Sequence, residues 1–276
     1  MADLRVRGYE LIEWIGRGAS SEVYKARQLN SGQVVALKIV RRGSGEGARQ
    51  FAQLANEFRV ARQWTHPNLV RLHELATARL LFWKLQVALA MEYVPGETLK
   101  SGKSFTALQF VDCYIQLAEA MHYMHQHGYI HLDMKPQNVM VTQAGQAKIM
   151  DFGLCTRKGK YNPRVQGTPN FMAPEQLRKG WVDERTDVFN LGATLFTVVS
   201  GKSVQMMLTS CLRTDGGPAV VSETFQSRSV EVSPDLESLI LQSCRPSPAE
   251  RPATMARVLE KLQDIRSRLA PPKPVK

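Results

Sequence analysis

The apolar pattern of the chain changes period once, near residue 100, and this restricts the fold more than any other feature. Before that point YELIEWIG, SEVYKARQL and QVVALKIV read as strands, the last two joined by the turn Asn30-Ser31-Gly32. A Gly-rich spacer, RRGSGEGA, leads into one helical segment in which Phe51, Leu54, Ala55 and Phe58 recur at i, i+3, i+4 and i+7. From residue 104 the pattern is helical. Thr106 and Gln109 have capping-box spacing, Phe110, Tyr114, Leu117, Met121 and Met124 form a stripe, and Gly128 sits where a helix stops. Further helices are expected at 187–200, 234–244 and 254–269. The closing APPKPVK cannot continue a helix. The chain is therefore read as a small β-rich region followed by a larger helical one.

With 276 residues the chain can bury a substantial core. Hydrophobic and charged contents of 43% and 22% are those of a water-soluble globular protein. No apolar run reaches the roughly 20 residues of a membrane span, and the start, MADLRVRGYE, lacks a signal-peptide core. Cysteines 113, 155, 211 and 244 form no CxxC pair, which favours reduced thiols in a cytoplasmic protein. The net charge of +11 attracts polyanions in general, yet no nucleic-acid-binding signature accompanies it, so no specific nucleic-acid partner is expected.

Residues 16–23, GRGASSEV, lie between two strands, and their glycines let main-chain N–H groups approach phosphate oxygens. A plain β-turn uses glycine too, and a Rossmann loop would need a helix next. Lys38 interrupts the apolar strand VVALKIV and, if buried, needs a partner. Glu57 is a candidate, because its helical neighbours Gln53, Leu54, Val60 and Ala61 include no base.

HLDMKPQN, residues 131–138, gathers Asp133, Lys135 and Asn138. The following segment reads strand, Gly-containing turn, strand. A hairpin centred between Ala144 and Gly145 would set Asn138 opposite Asp151, with Cα atoms roughly 4.5–5.5 Å apart, where both could ligate one hard cation such as Mg²⁺. A carboxylate at Asp133 could accept a hydroxyl proton while Lys135 neutralises a transferred group, which are the parts that phosphoryl transfer needs.

In this order the residues resemble the eukaryotic-type Ser/Thr protein kinases, over residues 9–265. The resemblance makes Ile15, Gly16, Arg17, Gly18, Ala19, Ser20, Ser21, Glu22 and Val23 the nucleotide-covering loop. Ala36 then lines the nucleotide site and Lys38, held by Glu57, grips the α/β-phosphates. MEYVPGETL supplies Met91 as gatekeeper and the backbone of Glu92, Tyr93 and Val94 for adenine. HLDMKPQN becomes the catalytic loop, DFG at 151–153 the metal-binding turn, and GTPNFMAPE at 167–175 the end of the activation segment, where Thr168 bonds the catalytic Asp and Lys. Asp187 would support the catalytic loop, and Arg251 would pair with Glu175. The implied fold is α+β and two-lobed: an antiparallel N-lobe of about 9–91, a hinge at 92–96, a mainly helical C-lobe of about 97–265, and a frayed tail at 266–276. The implied cofactors are ATP with Mg²⁺, or Mn²⁺ in its place, and metal ligation falls to Asn138 and Asp151. Lys135 and the GTP segment favour Ser/Thr acceptors, and the compact style resembles bacterial members.

Two positions depart from the pattern. Ser21 replaces the third glycine of the loop. Leu132 replaces the arginine that, in the family, pairs with a phosphorylated activation-segment residue; leucine cannot do so, which implies activity independent of that phosphorylation. The cluster Arg157, Lys158, Lys160 and Arg164 reads as a preference for acidic protein substrates, as a phosphate partner, or as a solvated loop. Residues 202–233 resemble the family least. The alternative functional reading is a pseudokinase, a nucleotide-binding scaffold without catalysis. A small-molecule kinase would lack GTPNFMAPE and Lys135.

Overall fold

The computed structural model of the protein describes residues 4–18, 21–41, 46–80, 84–101, 105–205 and 232–269. Most of the 202–233 region, together with Ala19, Ser20, Cys211 and the final seven residues, lies outside them. The described residues fall into two compact units, the first within 1–95 and 150–155, the second within 96–149 and 156–276.

In the first unit, β1 (Leu4–Val6), β2 (Tyr9–Arg17), β3 (Ser21–Gln28), β4 (Val34–Arg41), β5 (Leu72–Leu80) and β6 (Lys84–Glu92) form a closed antiparallel barrel in the order β1-β2-β3-β4-β6-β5. Side chains alternate across a strand. Val35, Leu37 and Ile39 of β4 therefore join Val6, Ala26, Ala88 and Ala90 in one buried cluster, while Lys38 faces the other way. Helix α1 (Glu46–Ala61) packs on β4, β5 and β6. It begins inside the Gly-rich spacer, five residues before the apolar stripe, because Gly47 costs only about 1 kcal/mol in a helix whose other face is packed.

The second unit is mainly helical. After β7 (Gly96–Thr98) comes α2 (Ala107–Gln126), whose N-cap Thr106 accepts from the Gln109 N–H at 3.2 Å while Gln109 Oε1 accepts from the Thr106 N–H at 3.1 Å. The helix stops before Gly128, which adopts a left-handed φ of 81°. Short strands follow: β8 (Tyr129–Ile130), β9 (Val139–Thr142), β10 (Ala147–Ile149), β11 (Thr156–Arg157) and β12 (Lys160–Tyr161). Next come α3 (Pro174–Leu177), β13 (Trp181–Val182), α4 (Glu184–Ser200), α5 (Pro234–Ser243) and α6 (Met255–Leu269). Strands β10, β9 and β7 form one sheet, β11 pairs with β8, and β12 pairs with β13. Helix α2 packs on α6, and α4 on α5. At Gly192 of α4 an added Cβ would lie 2.6 Å from Ser243 Cβ of α5, so the close helix contact requires glycine.

Two expectations are corrected. The β9–β10 hairpin pairs Val139 with Ile149, one residue out of the register that would set Asn138 opposite Asp151. The reason is the turn. Thr142 N–H bonds Gln146 O at 2.9 Å, and Gly145, at φ 81°, ends a three-residue connection instead of sharing a two-residue centre. Asn138 itself closes a 3₁₀ turn, Pro136–Asn138, outside the strand. Residues 266–269, expected to belong to a frayed tail, are helical instead, because α6 continues through Leu269; residues 270–276 lie outside the described residues. The last turn of α6 carries Arg266 paired with Asp112 and Arg268 paired with Asp235 and Asp264.

Candidate active site

The first unit brings together Lys38, Glu57 and Asp151. Lys38 Nζ lies 3.0 Å from Glu57 Oε2 and 3.0 Å from Asp151 Oδ1. Glu57, buried on α1, also accepts the Phe152 N–H on Oε1 at 3.1 Å. Burial alone would lower the Lys38 pKa, but the Glu57 and Asp151 carboxylates outweigh it and hold the ammonium above its ordinary value. Lys38 is thus a fixed cation near neutral pH. Asp151 has a left-handed φ of 67°, a conformation that a non-glycine residue keeps only when its neighbours enforce it. The enforcing contacts include a residue that the sequence reading missed. Asn56 Nδ2 donates to Gly153 O and Cys155 O, each at 3.1 Å, and Phe152 meets Trp64 edge-on at 5.4 Å.

Of the nucleotide-loop candidates, Ala19 and Ser20 lie outside the described residues, and the others lie on or next to strands β2 and β3. Gly18 N–H bonds Ser21 O at 2.8 Å, and Gly16 pairs with Val23 and Arg17 with Glu22 between the two strands. Ile15 is 39% exposed. Ala36 pairs with Met91 across β4–β6, and both are buried. Glu92 N–H is taken by Arg71 O at 2.8 Å, the Tyr93 ring stacks under Lys25 Nζ at 5.0 Å, and Val94 is buried.

The second unit assembles the acid–base candidates around Asp133. Lys135 Nζ donates to Asp133 Oδ2 at 2.7 Å and to Thr168 Oγ1 at 2.8 Å. The Thr168 N–H and hydroxyl both donate to Asp133 Oδ1 at 2.9 Å. Asn138 Nδ2 donates to Asp133 O at 2.8 Å and to its Oδ2 at 3.3 Å. The loop carrying Asp133 is pinned from below by fully buried Asp187, which accepts the His131 N–H at 2.8 Å and the Leu132 N–H at 2.9 Å. His125 Nε2 lies 2.7 Å from the same carboxylate. Burial would raise the Asp187 pKa, but hydrogen bonding and charge from His125, with lesser help from His131 and the Leu132 N–H, carry it below the usual value.

Gln176 and Asn190, also missed from sequence, complete the support. Gln176 donates to Leu132 O at 2.8 Å, and Asn190 donates to Gln176 Oε1 at 2.8 Å and Phe171 O at 2.7 Å. The only available signal was a polar residue set within apolar surroundings, as in VFNLG. Arg251 forks onto Glu175 at 2.7 and 2.9 Å.

A family model described as the protein kinase domain matches residues 9–262. The chain belongs to the protein kinase domain family. The expected two-part α+β architecture, an antiparallel β unit and a helical unit, is that of this kinase fold.

Among curated relatives, the kinase domain is 28% identical over 282 residues to the serine/threonine-protein kinase PknB of Mycolicibacterium smegmatis, covering 96% of this chain and 44% of that protein. It is 32% identical over 212 residues to CBL-interacting protein kinase 5 of Oryza sativa, covering 72% of this chain and 44% of that protein. PknB of Mycobacterium tuberculosis is 29% identical over 268 residues, covering 90% and 41%. The chain spans less than half the length of these relatives. Protein kinases use ATP with a divalent cation. Among the described residues no three His, Cys, Asp or Glu side chains gather as a metal site, and no helix is long and apolar enough to cross a membrane.

Proposed function

We propose that this chain is a Ser/Thr protein kinase domain, spanning about residues 9–265 with a hinge at 92–96. It transfers the γ-phosphate of Mg·ATP, or Mn·ATP, to protein hydroxyls without prior phosphorylation of its activation segment. The observation that carries the reading is the Asp133 carboxylate, held on one oxygen by Thr168 and on the other by Lys135, in a loop anchored on Asp187. Asp133 directs the acceptor hydroxyl and takes its proton, and Lys135 balances charge on the transferred phosphoryl.

Lys38, kept cationic by Glu57, holds the α/β-phosphates. The nucleotide-loop residues from Ile15 to Val23 cover them, and Ala36 with Met91 and the backbone of Glu92 to Val94 receive the adenine. Both Asn138 amide hydrogen bonds go to Asp133, which leaves the amide oxygen for a hard cation. Asp151 supplies a carboxylate oxygen to the same kind of ion. When bound, that ion neutralises charge on the phosphates.

Independence from activation-segment phosphorylation is supported by Leu132, which is 7% exposed and packed with Ile130 and Val182 where the family's arginine would offer a cation. Of the basic cluster, Arg157 lies over Tyr129 and Lys158 pairs with Glu184, while Lys160 and Arg164 are exposed and meet no carboxylate among the described residues. Those two cations favour an acidic protein substrate in the cytoplasm.

The test is transfer of γ-phosphate from Mg·ATP to the chain itself, to casein as an acidic acceptor and to a basic acceptor protein, with Asp133→Asn alongside. Transfer to serine or threonine, preferring casein and lost in Asp133→Asn, is expected. Nucleotide binding without transfer in either protein would move the reading to a scaffold.

A further inference from the structure

The segment following the DFG turn is fastened by contacts that no motif or period foretold. Lys158 N–H bonds Gly128 O at 3.0 Å, and Gly159, at φ 73°, turns the chain so that its N–H reaches Val182 O at 3.0 Å. Lys160 and Tyr161 then pair with Val182 and Trp181, and Asn162 N–H bonds Gly180 O at 2.9 Å. Tyr161 and Trp181 meet edge-on at 5.3 Å. Val182, fully buried, packs with Ile130 and Leu132, so this ladder is seated on the residue that replaces the family's arginine.

One ion pair completes the arrangement. Lys158 Nζ lies 2.5 Å from Glu184 Oε1, the other Glu184 oxygen is 3.8 Å from His125 Nδ1, and His125 Nε2 is 2.7 Å from Asp187 Oδ2. Asp187 holds the His131 and Leu132 N–H groups immediately before Asp133. Polar groups thus line up from Lys158 to the loop that carries the acid–base group, with one step, Glu184 to His125 Nδ1, too long for a hydrogen bond.

We propose that Lys158 and Glu184 are positioning residues whose ion pair, with the β12–β13 ladder, sets the catalytic loop and replaces the phosphate-to-arginine pairing that Leu132 forbids. The inference rests on the reading of the chain as a kinase independent of activation-segment phosphorylation. Glu184 also lies in the first turn of α4, where a carboxylate is favourable by itself. Lys158 carries no such second role, so the two variants together separate ion pair from helix dipole.

The experiment uses phosphatase-treated protein and the variants Lys158→Met, Glu184→Gln, their double, and Gly159→Val, which blocks the turn before β12 without touching charge. Each single charge variant is expected to lose about two- to five-fold in kcat, the scale of a partly exposed pair, with the KM for ATP unchanged. The double variant should lose no more than the larger single, because the second change removes a partner already lost. Gly159→Val should lower kcat with the melting temperature held within a few degrees. Amides of Gly159 and Asn162 should exchange faster with solvent in Lys158→Met. Unchanged kcat in the singles, or losses that multiply in the double, would overturn the proposal. If wild type is itself inactive after phosphatase treatment, the parent reading fails, and amide exchange still decides the fastening: faster exchange in Lys158→Met supports it, equal exchange refutes it.

Discussion

Replacing Arg251 by methionine should be among the most destabilising single changes in the second unit. The Arg251 side chain is fully buried and makes five hydrogen bonds: to Glu175 at 2.7 and 2.9 Å, and to the carbonyls of Arg245, Arg185 and Pro246 at 2.7, 2.9 and 3.0 Å. Its guanidinium also lies 4.9 Å from the Phe189 ring centre. Methionine leaves the Glu175 carboxylate with little beyond the Thr186 hydroxyl at 2.9 Å, and leaves three carbonyls without this donor. Removing one member of a buried ion pair costs about 3–5 kcal/mol, a large part of the roughly 5–15 kcal/mol that holds a domain folded. At about 2–4 °C per kcal/mol the melting temperature should fall by about 6–20 °C in scanning calorimetry. Because the penalty comes from the stranded carboxylate, Arg251→Met/Glu175→Met should melt above Arg251→Met alone. A fall of less than about 2 °C in the single variant, or a double variant that melts lower still, would refute the reasoning.

Gly192→Ala sets a methyl 2.6 Å from Ser243 Cβ and 3.1 Å from Cys244 Sγ. The clash should outweigh alanine's helix preference and cost about 1–3 kcal/mol by urea denaturation. Leu132→Arg removes about 1.5–3 kcal/mol of apolar burial beside Ile130 and Val182 and adds a cation to that cluster. It should lower the melting temperature without making activity respond to phosphatase treatment. The Asp187 pKa is depressed on folding, so its contribution to stability is complete above the unfolded value of about 3.9 and is lost as pH falls through the lower folded value. Wild type should therefore lose stability below about pH 4 more steeply than Asp187→Asn, measured as melting temperature against pH.

The candidate site residues of each unit were legible in the sequence because they sit in short runs whose spacing survives any local detail. Lys38 stands out in β4 since an ammonium within an apolar strand demands a partner, and Glu57 is 1% exposed beside it. Hairpin geometry was less legible. Whether Gly145 occupies the middle or the end of its turn shifts the register by one residue, and composition does not distinguish the two. Asn56, Gln176 and Asn190 were hidden because each bonds main-chain atoms distant in sequence. The β12–β13 ladder was invisible for another reason: two-residue strands carry no period to read.

In the proposed mechanism Asp133 performs the acid–base step while the first unit holds the nucleotide, and one comparison separates the two roles. Single-turnover γ-phosphate transfer and the Kd for Mg·ATP would be measured on wild type and Asp133→Asn. Transfer should fall about 10²- to 10⁴-fold with the Kd unchanged within about two-fold, because removing an interaction made only in the transition state leaves ground-state binding intact. Transfer that survives the substitution, or a loss of rate that merely follows a loss of nucleotide binding, would contradict this mechanism.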